Sequence, residues 1–448
     1  MIPFPNASAL SSFALFITMA AIGFGLPPLA HGQPDATPAA PVALSLDESV
    51  RLALRQSPDV LLARLDQQEA ELKARQVGDP FSLKLGVGSG LAWTSGFPMN
   101  VGGSGPSLVN AQASMTLYDR PLRYRIAEAR ERAKAEALTE AEKRSAVALE
   151  VTRLFLEAES LGLAEESLQA EIASLERVLG IRERQLEEGR ALPLDTKRAK
   201  VSLAAARYRL REMESTVKQS QARIGFLLGF ESGREVAPVR GERRQPELPA
   251  DPQAAAAVAV EGSPEVERLK VFLAANQFRV KGANAIHWPV IRLVSQYSMF
   301  ARFNNYDDFY NRFERHNGQI GASFELPLFT GSATRAERSQ AGIEADRLRL
   351  NLETARRKVA LEASAATRLA QDAKAYHELI ALDLEAARDQ VSVLLAQANE
   401  GKARLEDLEL ARTEENRKWV EYYRSRASAE QAAYDLLHKT GRLVAWFQ

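Results

Sequence analysis

Few residues in this chain have the types and spacings that catalysis or metal binding requires. The five histidines of the 448 residues never lie within one helical turn of each other, so there is no local ligand pair of the H-E-x-x-H kind. The chain has no cysteine, which excludes thiolate metal sites, cysteine nucleophiles and disulfide frameworks. The glycine-rich strand end at 86–90 continues into a loop and not into a helix N-terminus that could hold a phosphate. We therefore expect no catalytic residues, no metal site and no cofactor.

The charge balance argues against a nucleic-acid partner. The chain has 58 basic and 58 acidic side chains, which give a formal net charge of zero, and neither sign is gathered into blocks. Proteins that bind the nucleic-acid backbone normally present a basic patch or tail. With 46% hydrophobic residues, the chain is also too apolar to be disordered. The composition therefore indicates an ordered protein that does not bind nucleic acid.

The N-terminal segment has the pattern of a secretory signal. An uncharged apolar stretch at 7–29 is followed by Ala-His-Gly at 30–32, a small-x-small pattern of the type that signal peptidase cleaves. We interpret residues 1–32 as a signal peptide and expect the mature chain to begin at or near Gln33. A retained membrane anchor is the alternative, because the first basic residue of the chain is Arg51. After residue 32, no apolar run approaches the roughly 18 to 20 residues of a membrane-spanning helix.

The chain is internally duplicated. The sequence S-P-D-V at 57–60 recurs as S-P-E-V at 263–266, and E-G-R-A at 188–191 recurs as E-G-K-A at 400–403. Landmarks that recur in one order at similar separations indicate a repeated structural unit. The predicted organisation is a first repeat at 33–229, a proline-containing linker at 230–252, a second repeat at 253–441 and a C-terminal tail at 442–448.

Each repeat has the same predicted order of elements: a helix, a β-hairpin, a long helix and a shorter returning helix. The first helix begins after a Ser45 cap and runs towards Pro80. The hairpins are predicted from period-two alternation, and the long helices from their lack of proline. Leu154, Leu161 and Leu168 fall seven residues apart, which is typical of a coiled coil. The predicted bounds are 81–118, 122–188 and 193–229 for the first hairpin, long helix and returning helix, and 290–326, 332–400 and 403–441 for the second set.

Strands with one apolar face occur both in soluble sandwiches and in membrane barrels, so the alternation alone leaves both open. The aromatic residues favour a barrel, because they lie near both ends of the predicted strands, like the aromatic girdles of outer-membrane barrels. The helix-proximal aromatics are Phe81, Tyr118, Trp288 and Phe329, and those at the far end are Trp93, Phe97, Phe303, Tyr306, Phe309 and Tyr310.

In these features the chain resembles the TolC-like outer membrane efflux protein family over nearly all of its length, from Leu44 to Leu443. The resemblance rests on the duplication, on L-Y-D at 117–119 and P-L-F-T-G at 327–331 where strands lead into helices, on L-L-G at 227–229, and on the glycine-to-aspartate spacing of the two helix turns. It implies a mixed α and β membrane protein, a homotrimer in which each chain gives four strands to a shared 12-stranded β-barrel. The helices would form a coiled-coil α-barrel in the periplasm.

The resemblance further implies a passive outer-membrane exit duct of a tripartite efflux or type I secretion system. Energy would come from an inner-membrane pump, reached through a periplasmic adaptor (membrane fusion) protein. The barrel would contact outer-membrane lipid without a lipid anchor, because no cysteine is present to carry one. The alternative function is a periplasmic coiled-coil adaptor or scaffold. The duplicated amphipathic hairpins favour the duct, since an adaptor needs only one coiled-coil hairpin.

In the family, the turns between the long and returning helices are the periplasmic tips, where the aperture closes and adaptors dock. Each tip has an aspartate six residues after a glycine, near the positive end of the returning helix, and a simple helix start would explain such an aspartate equally well. We expect Arg404 and Lys402 to be ion-pair partners of these aspartates. The residues predicted for the aperture and adaptor docking are Gly189, Arg190, Asp195, Gly401, Lys402, Arg404 and Asp407.

Overall fold

The computed structural model describes residues 41–90, 107–231, 234–239, 241, 243–247, 249–300, 314–329 and 331–448. The interpreted signal peptide and all six far-end aromatics lie outside these residues. The helices are α1 (Leu46–Gln56), α2 (Pro58–Val77), α3 (Arg120–Glu187), α4 (Pro193–Leu227), α5 (Pro252–Gly262), α6 (Pro264–Asn284), α7 (Gly331–Asn399), α8 (Leu405–Lys439) and α9 (Leu443–Trp446). The strands are β1 (Val42–Leu44), β2 (Lys84–Gly90), β3 (Ser107–Tyr118), β4 (Val236–Pro238), β5 (Val290–Phe300) and β6 (His316–Glu325).

Two very long helices dominate the molecule. Helix α3 has 68 residues and α7 has 69, so each extends about 100 Å at 1.5 Å per residue. On α3, Leu168 and Leu175 of the predicted heptad row are buried against Leu203, Ala206 and Met213 of α4. Apolar residues seven apart thus hold the long helix against its returning partner, as in a coiled coil. No helix in the described part of the chain is both long and apolar enough to span a bilayer.

The helix predicted before each hairpin is in fact two helices, and the single-helix prediction was wrong. The breaks lie between α1 and α2 at Ser57 and between α5 and α6 at Ser263. Each serine precedes a proline, whose ring disfavours helical backbone in the residue before it. Accordingly, Ser57 has ψ 130° and Ser263 has ψ 117°. The S-P pair that marks the duplication is thus also the position where both helices break.

The predicted linker and tail are more ordered than the sequence indicated. Strand β4 lies in the linker and pairs in parallel with β1 near the start of the described chain. The tail forms α9, and its Leu443 and Phe447 are buried in the main hydrophobic core beside Phe155 of α3 and Tyr434 of α8. This core lies where α1, α3, α4 and the tail meet, so it joins both repeats.

Strands β2, β3, β5 and β6 form one antiparallel sheet in that order. The two hairpins, one from each repeat, are joined through β3 and β5, so β2 and β6 are the outer strands. Both strand-to-helix crossovers lead directly into the long helices. The sheet and the helices are therefore one continuous structure, as the fold prediction required.

Candidate functional site

The sheet has one apolar and one polar face. Residues paired across antiparallel strands point to the same side, so the register assigns each position to a face. Leu85 pairs with Ala113, and Ile291 pairs with Phe324; these residues share the apolar face. Leu85, Ile320 and Phe324 are exposed there. A monomeric soluble protein rarely exposes so continuous an apolar surface, so this face is suited to lipid.

A row of amide side chains runs from strand to strand across the polar face, near the middle of the strands. Gln112 is paired with Gln296, which in turn is paired with Gln319. The Gln319 Nε2 donates to Gln296 Oε1 at 3.1 Å, and the Gln296 Nε2 lies 3.4 Å from Asn110 Oδ1. We call Asn110, Gln112, Gln296 and Gln319 the amide belt. Because these side chains are polar and uncharged, this part of the face can line water without attracting ions of one sign.

Charged residues lie nearer the helices. Arg292 and Glu325 form an ion pair with 3.0 Å between Nη1 and Oε2, on the same polar face as the amide belt. Among the predicted interface aromatics, Tyr118 ends β3 and is half-buried, and Phe81 ends a short 3₁₀ turn before β2. Trp288 precedes β5, and Phe329 follows β6 with 97% of its surface exposed. All four aromatics thus lie at the helix-proximal end of the sheet, where the sequence pattern placed them.

The two helix tips share one backbone geometry. Gly189 has φ 70° and Gly401 has φ 74°, a left-handed conformation that glycine adopts without steric cost. After each glycine, the next N–H donates back into the long helix, at 2.7 Å from Arg190 to Gln185 and at 2.8 Å from Lys402 to Gln397. The duplication therefore extends to the hydrogen bonds of the turns.

Both tip aspartates occupy the third position of their returning helix. The Asp195 N–H donates to the Leu192 carbonyl at 3.0 Å, and the Asp407 N–H donates to the Arg404 carbonyl at 3.1 Å. A carboxylate in the first turn is favourable because the helix N-terminus carries positive partial charge. This geometry agrees with the helix-start interpretation and leaves both carboxylates available for other contacts.

The ion pairs of the tips agree only partly with the expectation. Arg404 holds Asp407 through two hydrogen bonds, with Nε and Nη2 each 3.0 Å from a carboxylate oxygen. The hydrogen bond to Asp407 raises the pKa of Arg404. The expectation for Lys402 was wrong, because its ammonium lies 2.6 Å from Glu400 across the glycine turn. Arg190 pairs with Glu188 in the same way, at 3.3 Å. The charged side chains on either side of each glycine are simply the nearest opposite charges.

A row of buried glutamates behind the tips was not predicted. Glu406, Glu409 and Glu171 are all buried, yet each contacts arginine side chains from neighbouring helices. These ion pairs connect α3 with α8: Arg182 to Glu406 at 2.6 Å, Arg177 to Glu409 at 2.8 Å and Arg417 to Glu171 at 3.1 Å. We call these pairs the glutamate row. The signal in the sequence was Glu171 itself, an acid between Leu168 and Leu175 on the apolar seam.

A further arginine joins the linker to the helices. Arg243 places Nη2 2.5 Å from Glu159 of α3 and 2.9 Å from Glu430 of α8. Burial alone would lower the pKa of Arg243, but the hydrogen bond to Glu159 and the charge of Glu430 outweigh it and raise the pKa. The linker is therefore fixed to both repeats by a buried, charge-compensated contact.

Comparison with known proteins agrees with this architecture. Residues 50–230 match the family model described as outer membrane efflux protein. No curated protein sequence matches the chain. Among solved structures, the CmeC outer membrane channel of Campylobacter jejuni is similar with a TM-score of 0.73 at 15% identity, over 89% of this chain and 86% of that one. The outer membrane protein VceC of Vibrio cholerae has a TM-score of 0.69 at 17% identity, over 88% and 96%.

The first repeat is similar to the outer membrane efflux protein family, and the shared fold extends the similarity over most of the chain. Both of these solved structures are described as outer membrane proteins, and CmeC as a channel. Proteins of this family transport substrates and are not enzymes, which agrees with the expectation of no catalytic residues.

Proposed function

We propose that three copies of the chain close their sheets into one 12-stranded barrel that serves as a passive exit duct. The observation that carries this proposal is the four-stranded sheet, whose outer strands β2 and β6 each have one edge with no partner strand in the described part of the chain. Backbone groups left unpaired in hydrocarbon cost several kcal/mol each, so an open sheet edge is not stable there. TolC-like channels form trimers. Three copies would place the apolar face against lipid and the amide belt in the lumen.

The helices support the same assembly. On α7, Ile343, Leu350 and Leu361 are exposed in the single chain. Large apolar side chains spaced along a long helix indicate a face that another helix covers. A neighbouring copy is the partner that a closed helical tube requires. In that tube, the long helices of three chains would surround a water-filled channel continuous with the barrel.

A duct of this kind needs partners for energy and for cargo. We infer a periplasmic adaptor that connects the tips to an inner-membrane pump, with residues 1–32 directing the chain out of the cytoplasm. The cargo class stays open, because a wide water-filled duct needs no specific binding site. The first and second tips, with Gly189, Arg190 and Asp195 in one and Gly401, Lys402, Arg404 and Asp407 in the other, are the proposed aperture and docking surface. The pair of Arg404 and Asp407 is the proposed latch.

Planar-bilayer recording of the purified protein tests the function. A passive duct should give stable conductance steps in salt solution alone, with no nucleotide or other energy source. Blocking particles added on the periplasmic side should close it. Protein that inserts but never conducts, or that conducts only with an energy source, would contradict the proposal.

A further inference from the structure

Arginines and aromatic rings are stacked together where the sheet meets the helices. Arg120 follows β3, and its guanidinium carbon lies 4.0 Å from the centre of the Trp288 ring. Three residues later, Arg123 lies 5.4 Å from the centre of the Tyr118 ring. We call these four residues the collar. The collar lies at the junction of β3 and β5, so it includes residues from both repeats.

The collar arginines have no acidic partner among the residues that the structure describes. Neither Arg120 nor Arg123 forms an ion pair with a carboxylate anywhere in the described ranges, whereas nearby Arg292 is paired with Glu325. The adjacent Asp119 is engaged, because its Oδ1 accepts the Leu122 N–H at 2.8 Å and caps α3. Two cations with no carboxylate partner therefore lie close together at the end of the sheet.

Helix stability does not explain these arginines. They occupy the first turn of α3, which contains no acidic residue, and a cation is unfavourable at that positive end of a helix. Their stacking on aromatic rings does suggest a role. A guanidinium that stacks through its face keeps its N–H donors free at the rim, in a fork that fits a phosphate.

The location indicates which phosphate is available. Trp288 is partly exposed and Phe329 is almost fully exposed at this same end of the sheet, next to the apolar face that contains Ile291 and Phe324. Aromatic side chains at the end of a lipid-facing strand lie at the level of the lipid headgroups. Arginine side chains that begin near this level can extend to the phosphates of the headgroups. We propose that the collar binds the phosphate groups of anionic phospholipids in the periplasmic leaflet of the outer membrane.

Native mass spectrometry of the full-length protein in detergent tests this proposal. The wild type should bind phosphatidylglycerol more tightly than phosphatidylcholine with the same acyl chains. Replacing both arginines, R120Q with R123Q, should weaken phosphatidylglycerol binding about tenfold or more. Each basic residue near an anionic surface strengthens binding severalfold, and the double variant removes two of them. Added salt should weaken the wild-type preference as well.

The matched control is Arg211→Gln, which removes an exposed arginine of α4 away from the sheet and should leave the lipid preference unchanged. If the double variant does not assemble, Arg123→Gln alone removes the more exposed collar cation and should still reduce binding. Equal binding of both lipids by the wild type, unchanged binding by the collar variants, or equal competition by inorganic phosphate would overturn the proposal. This proposal rests on the proposed barrel. Conductance of the same variants in planar bilayers distinguishes a loss of lipid binding, in which the channel still conducts, from a loss of the duct.

Discussion

Glu171 of α3 and Arg417 of α8 form an ion pair with 3.1 Å between Oε1 and Nε, although Glu171 has 0% of its surface exposed. The same Oε1 accepts from Arg209 of α4 at 2.7 Å. One carboxylate thus joins the helices of both coiled-coil hairpins. Its position within the Leu168 and Leu175 seam fixes how far the second hairpin can slide along the first.

The burial of this carboxylate predicts an asymmetry between variants. Removing both Arg209 and Arg417 leaves Glu171 charged and unpaired in the interior, which costs about 3 to 5 kcal/mol for a buried ion of this kind. Glu171→Gln leaves two arginines that are each roughly half-exposed and can be solvated. We therefore expect R209A with R417A to lower the thermal unfolding midpoint more than E171Q does. Circular dichroism of the detergent-solubilised protein measures this, and a larger loss for E171Q would contradict it.

The latch should control conductance. The pair of Arg404 and Asp407 is exposed, but three copies around one aperture would act together in the closed state. Replacing both residues with alanine should raise single-channel conductance without changing the yield of assembled protein. High salt should also open the wild type beyond the ordinary rise in electrolyte conductivity, because exposed charges are screened.

The chain offers a matched control for the latch. Lys402 lies in the same turn, and within the described ranges its ion pair is with Glu400. The conductance of Lys402→Ala should therefore stay at the wild-type level. If the Arg404 and Asp407 double variant also conducts like the wild type at low salt, both residues are helix-start polar groups and the aperture is closed elsewhere.

The amide belt predicts the ion selectivity of the barrel. Gln296→Glu would place one carboxylate per chain on the lumen face, so three copies should shift the reversal potential in a salt gradient towards cation selectivity. The neighbouring change Ser295→Glu places the same charge on the lipid face, where charged side chains destabilise barrels. We expect Q296E to assemble normally and S295E to assemble poorly. The opposite result would mean that the two faces are assigned the wrong way round.

A partly buried histidine of α8, His438, predicts that stability depends on pH. Burial chiefly lowers the pKa of His438, and the positive charge of Lys439 lowers it further although Asp435 opposes this. Its Nδ1 lies 2.8 Å from the Ser145 hydroxyl. A histidine with a lowered folded-state pKa binds more protons when unfolded, so stability is complete above its ordinary pKa near 6.5 and falls as the pH drops below it.

Thermal unfolding midpoints measured from pH 7.5 to 5.0 test this dependence. The wild type should lose stability over the acidic part of that range, and His438→Gln should lose less over the same interval. Identical pH profiles for the two proteins would show that His438 does not contribute.

The sequence predicts the features that occur in both repeats better than the features that occur only once in the fold. The duplication, the absence of proline from the long helices and the period-two strands together predict the element order and the fold class. Ser57 and Ser263 mark the duplication, and their position before proline also favours a helix break, which the periodic pattern of the helices does not reveal. The β4 strand was missed because three residues that pair with a distant strand carry no local pattern.

Sequence reasoning located the candidate tips but not all of their contacts. The Gly-to-Asp spacing placed Asp195 and Asp407 correctly in the first turns, since helix starts follow local rules. The glutamate row depends on partners such as Arg177 and Glu409, which are far apart in sequence and meet only through helix packing. The ion pair of Lys402 with Glu400, and not with an aspartate, likewise depends on how the turn folds.

The mass of the particle extracted from outer membranes tests the central claim most directly. Because the β2 and β6 edges must be paired in the membrane, we predict a protein mass of three chains in mild detergent, with no stable folded monomer. A population of single chains that retain the four-stranded sheet and insert into bilayers would contradict the shared barrel.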